Sequence, residues 1–122
     1  MSGKQTHQVK RIDKPWGHEI LWALTAHYAG KILFIRAGES LSLQLHQKKE
    51  ETLYLDQGSC VLEFGPTPEE LSKSQLAGGD VVHIPPGHVH RLTAHTDCRF
   101  FEVSTAELSD VVRLKDNYGR AW

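Results

Sequence analysis

The chain has 122 residues, room for one hydrophobic core and not two. It carries 14 Lys and Arg against 15 Asp and Glu, a formal charge of −1, and its 39% hydrophobic content excludes a disordered chain. No run of like charge suits nucleic acid or a membrane surface, no apolar run reaches the ~18 residues that span a bilayer, and Met1 to Lys10 lack the apolar stretch of a signal peptide, so the expected location is the cytoplasm.

In chain order, residues 1–12 show no pattern and are expected to form a frayed, flexible arm. Strand-length runs rich in Leu, Ile, Val, Phe or Thr then follow: Glu19–Leu24, Lys31–Arg36, Leu41–His46, Glu51–Leu55, Cys60–Phe64, Asp80–Ile84, Val89–Ala94 and Cys98–Val103. Between them lie turn formers such as Ala37-Gly38, Gln57-Gly58, Gly65-Pro66, Gly78-Gly79 and Pro85-Pro86-Gly87. Pro66–Ala77 reads as a solvated connection with one helical turn near Pro68. The tail, 105–122, reads as either a short amphipathic helix or an extended strap. The expectation is one all-β domain over residues 1–122, a sandwich or small barrel.

Eight histidines are the unusual feature of the composition. Alternation along Leu41–His46 puts three leucines on one face and Ser42, Gln44 and His46 on the other. Glu51 opens the next strand, where a hairpin can return it near His46. Far along the chain, the Pro85-Pro86-Gly87 turn starts a strand that offers His90, with His88 on the same face. Two imidazoles, a carboxylate and an amide oxygen suit a divalent transition metal and leave positions for substrate or water. The amide hardens the set, favouring zinc, manganese, iron or nickel over copper.

The spacing Gly38, seven residues, His46, four residues, Glu51, six residues, Gly58 resembles the first motif of the cupin superfamily, with Gln44 where that motif usually has its first histidine. Gly79, five residues, Pro85-Pro86-Gly87, two residues, His90 resembles the second motif. The resemblance implies a double-stranded β-helix, the jelly-roll cupin barrel, with its metal inside the mouth. Pro15-Trp16-Gly17, Lys31, the Leu41–Glu51 region, Ile84–Arg91, Glu102-Val103-Ser104, Asp110-Val111-Val112-Arg113 and Asp116–Arg120 further resemble type II mannose-6-phosphate isomerases. More narrowly they resemble the cupin domain that ends bifunctional mannose-1-phosphate guanylyltransferase/isomerases. That likeness implies Gln44, His46, Glu51 and His90 as ligands to one divalent ion, zinc first. It also implies aldose–ketose isomerisation of a sugar or sugar phosphate. Lys49, where the family has Arg, and Thr52-Leu53, where it has His-Trp, depart from the pattern.

Other residues have two readings. Lys31 and Arg36 either snorkel from the barrel wall or reach inward to the substrate. Lys31 or His88 is the candidate base. His83 reads as packing or rim, and Cys60 and Cys98 as small apolar residues. No Walker loop or G-x-G-x-x-G stretch exists, so side chains must hold any phosphate. The rival functions are a non-catalytic small-molecule-binding cupin and a metal-dependent oxygenase. The expected partners are a small, sugar-like substrate and a second copy of the chain, with Trp16 or Trp22 at the dimer interface.

Overall fold

Turn residues cut the chain into eleven strands in the computed structural model, which describes residues 8–118. In chain order these are β1 (Lys10–Lys14), β2 (Gly17–Leu24), β3 (Ala29–Ile35), β4 (Leu43–Leu45), β5 (Glu51–Gln57), β6 (Ser59–Gly65), β7 (Ser72–Ala77), β8 (Val81–Ile84), β9 (Val89–Ala94), β10 (Cys98–Ser104) and β11 (Val112–Lys115). No helix occurs among the described residues. The strands form two antiparallel sheets, ordered β1-β2-β3-β10-β5-β8 and β11-β4-β9-β6-β7. Crossing back and forth between two such sheets is the jelly-roll, and the fold is the all-β cupin barrel.

Period-two alternation builds the core. Along β10, Cys98, Phe100, Glu102 and Ser104 are buried while Arg99, Phe101 and Val103 face outward. Phe100, Leu55 and Ile84 are fully enclosed, with Ile35, Leu62 and Leu92 packed around them. Each such side chain stabilises the fold by about 1.5–3 kcal/mol. One end of the sandwich departs from this rule: its inward positions are Glu19, Lys31, Glu51, His90 and Glu102, all buried. One row across the outer face of the six-stranded sheet is apolar instead. Ile20, Ile32, Phe101, Tyr54 and Val81 lie in register across five strands. Phe101, Tyr54 and Val81 are exposed.

Two elements differ from the sequence reading, and for a third one of two readings holds. The expected arm gives way to β1 at Lys10, which pairs with β2 as far as Lys14; residues 1–7 lie outside the described residues. Ser72–Ala77, read as part of a connection, is strand β7, and Pro68-Glu69 is a plain turn. β7 pairs only with β6 and is exposed along most of its length, so it needs no apolar alternation. Of the two readings of the tail, the extended one holds: β11 pairs with β4, while residues 119–122 lie outside the described residues. Trp16, offered as an interface residue, is buried in the core. Trp22 is 44% exposed, its ring lying where a side chain on Gly30 would otherwise go.

Candidate metal centre

The two loops that carry the motifs are tied to one another. Gly87 adopts a positive φ of 82°, a conformation that favours glycine, and its N–H donates to the carbonyl of His46 at 2.7 Å. That turn delivers β9, where His90 lies directly across from Gln44 in register. Glu51 opens β5 on the facing sheet. His46, Glu51 and His90 are thereby brought together, their ligating atoms within 4.8 Å of one another and all three residues buried.

Hydrogen bonds fix both imidazoles. His46 Nδ1 donates to the carbonyl of Asp110 at 2.6 Å, and His90 Nδ1 donates to the carbonyl of His88 at 3.0 Å. A carbonyl only accepts, so each Nδ1 carries a ring proton, and a ring in that tautomer turns the lone pair of Nε2 into the site. Both Nε2 atoms are buried without a hydrogen-bond partner. They face one oxygen, Glu51 Oε1, at 3.6 and 3.5 Å, too far for hydrogen bonds. Three buried acceptors pointed at one another repel unless a cation lies between them. Zinc bonds of about 2.1 Å in tetrahedral directions separate donor atoms by about 3.4 Å, close to the two nitrogen-to-oxygen distances. The donor set therefore fits a divalent metal ion. Gln44 lines the same pocket; its Oε1 accepts from Ser42 Oγ at 2.8 Å, and an amide oxygen has a second lone pair.

Beyond the histidines the pocket, of about 130 Å³, is lined with charge. Lys49 Nζ bridges Glu51 Oε2 at 3.0 Å and Glu102 Oε2 at 3.2 Å. Lys31 Nζ bonds Glu19 Oε1 at 3.1 Å, and Lys14 lies 4.0 Å from the same oxygen. Burial alone would push the Glu51 carboxyl up; His46 and His90, whenever Nε2 carries a proton instead of facing an ion, and the Lys49 ammonium outweigh burial and hold the carboxyl far below the usual carboxylate range. Burial opposes the charge of Lys49 too, yet Glu102 and Glu51 leave that ammonium above its ordinary value. Glu102 goes the other way: burial, then the charge of Glu51, push its carboxyl up against the pull of Lys49 and Lys31.

The remaining sequence candidates sort by position. Lys31 is buried and lines the pocket, the inward of its two readings. Arg36 is exposed, does not line this pocket, and donates from Nη2 to the carbonyl of Pro15 at 2.5 Å. The His88 ring stacks on Phe64 with centroids 5.2 Å apart and is not among the lining residues, although its carbonyl orients His90. His83 is exposed and pairs with Glu50 at 2.6 Å. The sequence assigned no site role to Glu19, Glu102, Asp110 or Arg113, although the last three fall in stretches that carry the family resemblance, and it did not place Lys49 in the pocket. Glu19 and Glu102 were findable, because alternation aims each carboxylate inward among apolar neighbours. Lys49 precedes β5 in a segment without periodicity.

Comparison with known proteins places the chain in a family. The chain is 28% identical over 124 residues to the mannose-1-phosphate guanylyltransferase of Escherichia coli (strain K12), covering 97% of this chain and 25% of that protein. It is 26% identical over 116 residues to the xanthan biosynthesis protein XanB of Xanthomonas campestris pv. campestris (strain B100), covering 91% of this chain and 24% of that protein. The chain thus spans about a quarter of the length of these curated relatives. Among solved structures it is similar to the capsular polysaccharide assembling protein CapF from Staphylococcus aureus, with a TM-score of 0.77, 17% identity, and coverage of 91% of this chain and 35% of that one. It is also similar to KdgF from Halomonas sp., with a TM-score of 0.70, 18% identity, and coverage of 85% and 92%. Identities this low speak to the fold alone. The family model described as "Mannose-6-phosphate isomerase C-terminal" matches residues 2–116, nearly the whole length. By that match, on a cupin barrel with these inward residues, the chain belongs to the mannose-6-phosphate isomerase C-terminal family.

Proposed function

We infer that this domain is a metal-dependent aldose–ketose isomerase acting on a sugar or sugar phosphate, in the manner of mannose-6-phosphate isomerase. The observation that carries the reading is the convergence of two orphaned Nε2 lone pairs and Glu51 Oε1 at one side of a pocket otherwise lined by lysines and carboxylates. His46, Glu51 and His90, with Gln44 beside them, would hold one divalent ion, zinc first. Bound there, such an ion supplies Lewis-acid polarisation of the substrate's carbonyl and hydroxyl oxygens. The chain supplies the rest. Lys31, held by Glu19, orients the sugar's polar groups. Glu102 takes the proton from C2 and returns it to C1, while the hydroxyl proton on O2 passes to O1 through solvent; the raised pKa of Glu102 suits a carboxyl that must both accept and release a proton. Lys49 steadies the charge on both carboxylates meanwhile. His88 and Arg36, outside the lining, are assigned no part in it.

The test is isomerisation of mannose 6-phosphate and a panel of aldoses by chain reconstituted with zinc, manganese, iron or nickel, beside a His46→Ala control. Turnover by the loaded chain and not by the control is expected. Silence across the panel with a filled site overturns the isomerase. A second reading, a binding domain without turnover, is favoured by Lys49 engaging both carboxylates; melting shifts with sugars but no product would select it. Oxygen uptake by the iron or nickel form would select an oxygenase. The cytoplasm is the compartment in which this reading places the chain. A second copy covers the apolar row on the outer sheet face, giving a homodimer that light scattering at increasing concentration detects.

A further inference from the structure

The two histidines are oriented by different means. His90 takes its support from the carbonyl of His88, two residues away on the same strand entrance. His46 takes its support from Asp110, 64 positions along the chain. Asp110 is itself anchored: Oδ1 accepts from the Gln47 N–H at 3.1 Å, and Oδ2 accepts from the Lys48 N–H at 2.6 Å and the Lys49 N–H at 2.9 Å. Three consecutive backbone donors just past His46 therefore grip the side chain of the residue whose carbonyl holds that histidine's ring. Thr105 continues the stitching, exchanging bonds with Glu50 through the Thr105 N–H at 3.0 Å and Thr105 Oγ1 at 3.1 Å.

We propose that Asp110 is a positioning residue of the metal centre: its carboxylate clamps the segment after β10 onto the loop after His46, so that its own carbonyl keeps Nδ1 of His46 protonated and Nε2 open to the ion. The inference rests on the metal centre proposed above, and it makes the C-terminal segment a component of that centre. Orientation of a ligating imidazole by a carbonyl on its other nitrogen raises its quality as a ligand.

The experiment compares wild type, Asp110→Ala and Asp110→Asn as full-length chains. Nitrogen-15 NMR of the metal-free protein reads the tautomer of each histidine, and titration with Co(II) reads affinity. In Asp110→Ala, His46 is expected to lose its single tautomer while His90 keeps its own, and Co(II) affinity to fall about 10–100-fold. Asp110→Asn, which keeps one acceptor oxygen, is expected to fall between. A folded Asp110→Ala with the His46 tautomer and the Co(II) affinity of wild type overturns the proposal. If that variant does not fold, Asp110→Asn decides: unchanged affinity and tautomer overturn it, and weaker binding with His46 alone altered supports it. Should wild type take up no Co(II), the metal reading fails, while the tautomers of the metal-free chains still decide the role of Asp110.

Discussion

Replacing Lys49 by methionine removes the one ammonium that touches both Glu51 and Glu102, and it does so at a side chain only 6% exposed. The methionine fills nearly the same volume, so the loss is electrostatic rather than a cavity. Breaking one partner out of a buried ionic group costs about 3–5 kcal/mol, because the charges left behind keep their desolvation penalty. For a domain of this size that lowers the melting temperature by roughly 10–20 °C. The penalty should depend on pH in a definite direction. Glu102 already has a raised pKa from burial and from Glu51; without Lys49 it rises further and the pair sheds its repulsion by taking up a proton. Destabilisation is therefore larger at pH 8 than at pH 5, by about 1.4 kcal/mol for each unit of additional shift. Urea unfolding of the metal-free chain at both values measures this, with Lys49→Arg alongside, because a guanidinium can still reach both carboxylates. A loss under about 1 kcal/mol, or one equal at both pH values, would refute the view that Lys49 neutralises the pocket floor.

Zinc or Co(II) at one hundred times its dissociation constant should stabilise the native chain by about 2.7 kcal/mol, seen as a higher melting temperature that His46→Ala and His90→Ala abolish. Acid should destabilise the metal-free chain: the carboxyls of Glu51 and Asp110, the latter bonded by the Lys48, Lys49 and Gln47 N–H groups, sit below their ordinary values. Both bind fewer protons folded than unfolded, so their contribution is whole above about pH 5 and disappears as pH falls through the carboxylate range; unfolding midpoints between pH 3 and 7 check it. Burial pushes the Cys60 thiol up to about 12, and Cys98 is raised as well. Alkylation at pH 8 should be slow in the native chain and fast in urea.

The metal ligands were legible because turn chemistry and alternation bracket them: Gly38, Gly58, Gly79 and Gly87 all take positive φ, and the strands they bound carry their polar residues inward. β1 and β7 were not legible. Lys10–Lys14 and Ser72–Ala77 are edge strands with little to bury, and a strand without an apolar face leaves no period to read. The role of Asp110 was invisible for a different reason. It depends on the residue's own carbonyl and on three backbone N–H groups more than sixty positions away, and backbone groups carry no side-chain signature. Lys49 and Glu102 illustrate a third case, in which two charges make sense inside a barrel only as members of the same ionic group.

Trp16 and Trp22 occupy opposite environments, one enclosed beside the pocket and one over Gly30 on the outside. The chain thus contains two optical reporters that can be read apart. Iodide quenches only the accessible indole, and a Trp22→Phe, Trp122→Phe background isolates the emission of the enclosed one. In that background a fluorescence titration follows what enters the barrel, and the complementary Trp16→Phe, Trp122→Phe background follows what settles on its outer wall.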